Sequence, residues 1–120
     1  MNELINNFLF LFSFSSLFPI SQAVNGKMTL HVHWESPAKT DLPISKYKIF
    51  WSRRLTESAP VPSAAVKERK GTVNGNVFAY KLTNLDANAV YFVQVQAMIT
   101  YGEEKLRSEK SQMLVNTFKV

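Results

Sequence analysis

Apolar and polar residues alternate in several short runs along this chain. The clearest run is residues 91–97, in which Tyr91, Val93 and the alternate residues after them are apolar while Gln94 and Gln96 fall between them. Successive side chains of a β-strand point to opposite faces of a sheet. The run therefore predicts a strand with one face toward a core and the other toward solvent.

Four further runs alternate in the same way and predict strands over residues 28–34, 44–51, 77–82 and 111–118. The residues predicted to face the core are Met28, Leu30, Val32 and Trp34; Tyr47, Ile49 and Trp51; Phe78, Tyr80 and Leu82; and Met113 and Val115. The runs are separated by Gly, Pro, Asn and Ser, and no helical period of useful length occurs. This punctuation predicts an all-β domain.

The connections between these runs carry their own signals. Residues 52–76 form a looser segment that contains Pro60 and Pro62, and the Asn74-Gly75 pair near its end indicates a tight turn. Residues 100–105 are typical of a hairpin loop. Leu85 and Tyr91 stand six residues apart across a predicted bend, a spacing at which a tyrosine hydroxyl can reach the backbone at the corner of a sandwich. An ordinary buried tyrosine fits the same residues.

The first 23 residues differ from the rest of the chain. Residues 8–18 are apolar, rich in phenylalanine and uncharged, as in a signal peptide, and are shorter than the roughly 20 residues that cross a bilayer as a helix. Small residues at Ser21 and Ala23 fit cleavage after Ala23, although Glu3 is the only charged side chain before the apolar run. The alternative is a mis-assigned gene model that translates an intron end. Both interpretations place residues 1–23 outside a domain at 24–120.

Composition narrows the class of protein further. A chain of 120 residues that is 46% hydrophobic and 19% charged holds one globular domain. It has no cysteine, which excludes a disulfide framework and a thiolate metal site. Its net charge is +5, from 14 Lys and Arg against 9 Asp and Glu. Such an excess favours a polyanionic partner, although it can also serve only solubility.

Several of these residues together resemble the pattern of fibronectin type III modules. That pattern has a tryptophan that ends a strand before a proline, a Tyr-x-Val/Ile row, and a leucine six residues before a tyrosine that opens an alternating strand. The matching residues are Trp34 with Pro37, Tyr47 with Ile49, and Leu85 with Tyr91, Val93, Val95 and Ala97. Ala87 replaces the proline usual at the corner. The resemblance covers about residues 26–118 and implies an immunoglobulin-like β-sandwich with an incomplete first strand.

Longer stretches, including residues 30–37 and 97–101, resemble the type III modules of a secreted matrix glycoprotein of neuronal migration and axon guidance. The resemblance implies heparan sulphate and a fibroblast growth factor receptor as partners. It implies an extracellular adhesion or recognition module. A passive spacer, or an intracellular protein-interaction domain if the leader is an artefact, are the alternatives.

The basic residues are the candidate glycan-binding site. Residues 46–70 hold seven cations against two acids, a balance of +5 that equals the net charge of the chain. The predicted glycan-binding residues are Lys46, Lys48, Arg53, Arg54, Lys67, Arg69 and Lys70, with Lys105 and Arg107 at the flank. Cations from several segments on one sheet face would suit a sulphated polymer. The alternative is a solvated face whose lysines prevent edge aggregation.

Other chemistry has less support in the residues. Phe50 and Phe92 fall at outward positions and predict an apolar patch for a protein partner. His31 and His33 share a strand face, but no third ligand is evident, so no metal is expected. Neither a Gly-x-Ser-x-Gly elbow nor a glycine-rich phosphate loop occurs, so an enzyme or a cofactor is not expected. Inward aromatic residues argue against nucleic-acid binding, and stable membrane insertion is not expected.

Overall fold

The computed structural model describes residues 15–24, 27–35 and 43–118, and eight strands make up its regular structure. The strands are β1 (Ser15–Val24), β2 (Lys27–His33), β3 (Lys46–Arg53), β4 (Arg69–Asn74), β5 (Ala79–Asp86), β6 (Val90–Tyr101), β7 (Glu104–Arg107) and β8 (Ser111–Asn116). All of the described pairings are antiparallel. Residues 1–14 of the predicted leader and the predicted strand end at Pro37 lie outside the described residues.

The strands form two sheets. The smaller sheet has the order β1-β2-β5, and the larger has the order β4-β3-β6-β7, with β8 also paired to β6. β7 pairs with residues 98–101 of β6 and β8 with residues 90–95, so the two follow one another along the same edge. This is an all-β sandwich, as the alternation predicts.

A β-bulge separates β7 from β8. Met98 opposes Arg107 and Val95 opposes Ser111, so two residues of β6 face three residues of the returning chain. The Ala97 N–H donates to the Ser108 hydroxyl, 2.9 Å away, at this point. The bulge therefore shifts the alternation of the returning chain just before Lys110.

The core lies between the sheets and consists of the predicted inward rows. Its buried members are Met28, Leu30, Val32, Trp34, Tyr47, Ile49, Trp51, Leu82, Leu85, Ala89, Tyr91, Val93, Val95, Ala97 and Val115. Tyr80 and Met113 are partly buried against this cluster. The Trp34 and Tyr47 rings meet edge to face with their centroids 5.4 Å apart, which joins the two sheets. Each large apolar side chain buried in this way stabilises the fold by about 1.5–3 kcal/mol.

Phe78 is a correction to the predicted core. It is 38% exposed and precedes β5, which begins at Ala79 rather than at residue 77. Its carbonyl accepts a hydrogen bond from the Trp34 N–H, and its ring still contacts Tyr47 with the centroids 5.9 Å apart. Phe78 thus closes one end of the core instead of belonging to a strand row.

Three strands lie where the sequence predicts none: β1, β4 and β7, the last of which begins inside the predicted hairpin loop at residues 100–105. Apart from Val24, β1 occupies residues that the sequence assigns to the leader, and it gives the sandwich a ten-residue first strand in place of an incomplete one. It pairs with β2 at a sheet edge, and a register shift falls between Leu17 and Ser21, where Pro19 stands. Because proline lacks the N–H donor that a ladder needs, it is confined within sheets to edge strands and bulges. β4 lies inside the segment predicted to be loose and pairs with β3 from Lys46 to Trp51.

The predicted turn and corner are confirmed. The Val77 N–H donates to the Asn74 carbonyl at 3.0 Å, which closes a turn over Gly75 and Asn76. The Tyr91 hydroxyl accepts a hydrogen bond from the Asp86 N–H at 2.7 Å. Of the two interpretations of Tyr91, the structure therefore selects the corner tyrosine, which is also buried.

Candidate polyanion-binding face

The outer face of the larger sheet gathers cations from three strands. On β3, Tyr47, Ile49 and Trp51 point into the core, so the alternate residues Lys46 and Lys48 point outward. The register carries this outward row across the sheet. The cations on it are Lys46 and Lys48 of β3, Lys70 of β4 opposite Phe50, Arg107 of β7 opposite Met98, and Lys105 of β7 opposite Thr100. These five residues are called the basic face below.

Lys48 lies at the centre of the basic face, and its pKa reflects the positive charges around it. Partial burial lowers the pKa of the Lys48 ammonium below the usual value of 10.5, and Arg107, Lys46, Lys70 and Lys105 lower it further. Burial and like charges both disfavour the charged form of an amine. All four of these neighbours are cations, so the basic face concentrates positive potential that an anionic ligand would relieve.

Three of the nine predicted cations have structural partners elsewhere. The Arg53 guanidinium donates to the Asp86 carboxylate at 2.9 Å. Arg54 donates to the Ala59 carbonyl at 2.9 Å. Arg69 lies over the inward-facing Trp51 ring, 5.5 Å from its centroid.

The fourth predicted cation away from the basic face is Lys67. It is exposed in the connection between β3 and β4, outside the strands that form the basic face. The structure thus brings together five of the nine predicted cations on one face and assigns three others to contacts within the fold.

Lys110 is an additional cation beside the basic face that the predicted set omits. It follows the bulge after β7, and its ammonium lies 3.9 Å from the centre of the Phe50 ring. Phe50 is on β3, whereas Lys110 precedes β8, so the side chain reaches across the outer surface of β6. The bulge itself could not be anticipated, because it depends on the pairing register of β6 with the two strands along its edge.

The predicted apolar contact patch is wrong in its exposure. Phe50 and Phe92 do lie on the outward row, where Phe50 opposes Gln94 and Ser52 opposes Phe92. Phe92 is nevertheless only 2% exposed and Phe50 9% exposed. Lys110 lies over Phe50, and the Arg54 guanidinium lies 5.9 Å from the centre of the Phe92 ring.

A hydrogen-bonded chain fastens the segment after β3 to this end of the sheet. Gln94 donates to the Gln112 side-chain oxygen at 2.9 Å, and Gln112 donates to the Pro60 carbonyl at 2.9 Å. The segment around Pro60 therefore lies against the outer surface beside the buried phenylalanines. The open part of the outer face is its basic part.

The smaller sheet carries the two histidines. His31 and His33 alternate with the buried Leu30 and Val32 and so face away from the core, and His31 opposes Lys81 of β5. Within residues 27–35 and 43–118, no group of three or more His, Cys, Asp or Glu side chains is placed to hold a metal ion. The same part of the chain contains no helix with the length and apolar character that crossing a bilayer requires.

Fold and sequence together define the class of this protein. The sequence model of the fibronectin type III domain matches residues 19–113, well over half of the chain, and the chain belongs to this family. The solved fn3 domain of human collagen alpha-1(XX) chain superimposes with a TM-score of 0.52 at 18% identity, over 88% of this chain and 86% of that one. At this identity the likeness shows the fold alone.

The curated relatives are more specific. The chain is 31% identical to Anosmin-1 of Homo sapiens over 86 residues, which is 72% of this chain and 12% of that protein. It is 34% identical to Anosmin-1 of Coturnix japonica and of Gallus gallus over 98 residues, which is 82% of this chain and 14% of each relative. Anosmin-1 is the protein whose type III modules the sequence resembles, and this predicted similarity is confirmed. It extends over a small part of the relatives' length.

Proposed function

We propose that this chain is an extracellular recognition module, rather than an enzyme, and that its basic face binds heparan sulphate or a similar sulphated glycan. The observation that carries the proposal is the outward row of the larger sheet, on which Lys46, Lys48, Lys70, Lys105 and Arg107 come together. Similarity to Anosmin-1 supports a module of the extracellular matrix. Secretion through the leader remains a prediction from residues 1–23, and a fibroblast growth factor receptor as second partner remains a prediction from the resemblance.

Physical chemistry favours a polyanion over a neutral partner at this face. Each cation that contacts a sulphate releases a counterion, so the affinity should fall steeply as salt rises. Partial burial lowers the pKa of Lys48 and repulsion from its cationic neighbours lowers it further, and a bound anion would relieve that repulsion. The surrounding surface supplies Gln96 and Thr72 beside Lys48 in the same row, and neither carries a negative charge.

The test is heparin affinity chromatography with two charge-matched variants of the chain. Lys48→Gln with Arg107→Gln removes two charges from the basic face, whereas Lys67→Gln with Lys81→Gln removes two exposed charges outside it. We expect the unchanged chain and the second variant to elute together, well above about 0.15 M salt, and the first variant to elute early. The slope of log affinity against log salt should fall by roughly two for the first variant.

Two results would contradict the proposal. A passive spacer would elute near physiological salt whether or not Lys48 and Arg107 are present. Binding through total charge alone would weaken equally in both variants. Circular dichroism of each variant checks that the sandwich is intact, because all four substituted side chains lie away from the core.

A further inference from the structure

The basic face has a direction. Lys70 lies on β4 at the level of Phe50, Lys46 and Lys48 lie on β3 one strand away, and Arg107 lies on β7 beyond β6. Lys105 stands two residues further along β7, at the level of Thr100. The cations therefore form a diagonal band across four strands of the sheet.

The length of this band follows from sheet geometry. β4 and β7 are separated by three strand spacings, about 14 Å, and six residues along the strands separate the level of Phe50 from that of Thr100, about 20 Å. The backbone positions of Lys70 and Lys105 are therefore about 25 Å apart. Lys46 and Lys48 lie between them, about 7 Å from each other along β3.

The contacts around the band explain why it runs diagonally. Toward the end of β3, the outward positions continue to Phe50 and Ser52, which are buried. The Gln112 side chain holds the Pro60 carbonyl at this end of the face. A ligand that lies along β3 therefore has two ways to continue past Lys48. It can cross to Lys70 on β4, or it stops at Lys110, whose ammonium covers Phe50. At the other end the cations continue on β7.

We propose that the basic face is a track for an extended, linear polyanion that crosses the strands from Lys105 to Lys70, and that it selects chains of about 25 Å or more over compact anions. This inference rests on the proposed function. The ligand that fits is a flexible chain with negative groups repeated along it, because the five cations are spread along the band and do not converge on one point. A compact anion would contact only part of the track.

The test measures the affinity of the chain for heparin oligosaccharides of increasing length and for inositol hexakisphosphate as a compact anion. Affinity should rise with length until the oligosaccharide spans both ends of the track and change little beyond that. Lys70→Gln and Lys105→Gln should each weaken the binding of long oligosaccharides severalfold. A short oligosaccharide cannot reach both ends of the track, so its binding should be weakened by at most one of the two substitutions. Lys48→Gln, at the centre, should weaken long and short chains alike, and Lys81→Gln is the matched control.

A spectroscopic measurement adds a second readout. The Lys48 side-chain amine can be titrated by NMR with and without a long oligosaccharide, and its pKa should rise on binding because the ligand neutralises the neighbouring cations. At a pH between the free and the bound pKa, binding should then take up protons. Inositol hexakisphosphate should raise the pKa less at equal saturation.

The outcomes separate the two proposals. Binding of heparin through Lys48 and Arg107 with no dependence on length, or with equal affinity for inositol hexakisphosphate, rejects the track and leaves the proposed function intact. Insensitivity of long oligosaccharides to Lys70→Gln or to Lys105→Gln also rejects the track. No binding of any oligosaccharide rejects both.

Discussion

The Tyr91 hydroxyl accepts a hydrogen bond from the backbone N–H of Asp86, and this contact fixes the corner between β5 and β6. The corner also involves Thr117, whose hydroxyl donates to the Asp86 carbonyl and accepts from the Ala89 N–H. Asn88 has a φ of 55° in the turn, a backbone conformation that asparagine tolerates better than most residues. The corner is thus closed by side-chain hydrogen bonds although Ala87 replaces the usual proline.

Tyr91→Phe should destabilise the domain by about 1–3 kcal/mol, because it leaves the Asp86 N–H without its partner in a partly buried place. Tyr101→Phe is the matched control, since Tyr101 is 48% exposed. Urea unfolding should show a lower midpoint for Tyr91→Phe with an unchanged slope. Equal midpoints for the two variants would mean that the hydrogen bond contributes nothing.

Two glycines of β4 and its turn should respond differently to substitution by alanine. A Cβ at Gly71 would lie 2.2 Å from the Tyr80 hydroxyl, whereas a Cβ at Gly75 would lie 1.9 Å from the Ile44 backbone carbonyl. A side-chain ring can shift more easily than a backbone carbonyl. Gly71→Ala should therefore lower the free energy of unfolding by about 1–3 kcal/mol, and Gly75→Ala should lower it by more. Thermal unfolding of both variants measures this order, which a larger loss for Gly71→Ala would overturn.

The interaction at Gly71 can be isolated with a double-mutant cycle. Tyr80→Leu removes the hydroxyl and the end of the ring that Gly71→Ala would meet, so the double variant should lose less stability than the sum of the two single variants. Additive losses would show that the cost of Gly71→Ala comes from backbone or strand effects instead of this contact. Tyr80→Leu alone also removes the ring contact with Trp51, whose centroid lies 5.6 Å from that of Tyr80.

The core residues of the predicted strands could be identified because successive side chains of a strand point to opposite faces, and only one face of each strand is apolar. β4 could not, because its inward positions are Arg69, Gly71 and Val73, of which only Val73 is a large apolar residue. An edge strand with lysine and glycine lacks the alternation on which such a prediction depends. β1 was hidden for a different reason, since its sequence fits a signal peptide as well as it fits a strand.

The alternation of inward and outward residues predicts only which cations of the site point away from the core. Lys46 and Lys48 had to be outward once Tyr47 and Ile49 were inward. Alternation does not predict tertiary partners, so Arg53 and Arg69 could not be separated from the glycan-binding set without knowledge of their partners on other strands. The burial of Phe92 likewise depends on the course of the chain after β3.

Arg69→Ala should weaken the fold but not the binding of heparin. The Arg69 guanidinium lies over Trp51 and donates to the Asn84 carbonyl at 3.3 Å, which links β4 to the smaller sheet. Loss of the cation–π contact and of the packed side-chain stem should cost about 1 kcal/mol. Lys70→Ala, its neighbour in sequence, should do the reverse. Earlier elution of Arg69→Ala from heparin than of Lys70→Ala would contradict this assignment.

Asp86 should make the stability of the domain depend on pH in the acid range. A hydrogen bond from Lys27 holds the pKa of the Asp86 carboxyl below 3.8, against the opposing effect of partial burial, and the charges of Lys27 and Arg53 lower it further. Because the pKa is lower in the folded chain, ionised Asp86 stabilises the fold above about pH 4, and this stabilisation is lost as the pH falls through the folded-state pKa. The effect should be about 0.5 kcal/mol per ion pair, since the three side chains are 38% to 50% exposed.

The measurement for Asp86 is urea unfolding of the unchanged chain and of Asp86→Asn between neutral pH and about pH 2, at low salt and at about 1 M salt. At low salt the unchanged chain should be the more stable at neutral pH, and the difference should shrink below about pH 4 as its own carboxyl is protonated. High salt should reduce the neutral-pH difference, because solvent-exposed ion pairs are screened. Lys27→Ala should reproduce most of the effect of Asp86→Asn, since the hydrogen bond from Lys27 is the largest cause of the lowered pKa. A difference between the unchanged chain and Asp86→Asn that is constant with pH would show that Asp86 acts through packing at the corner and not through its charge.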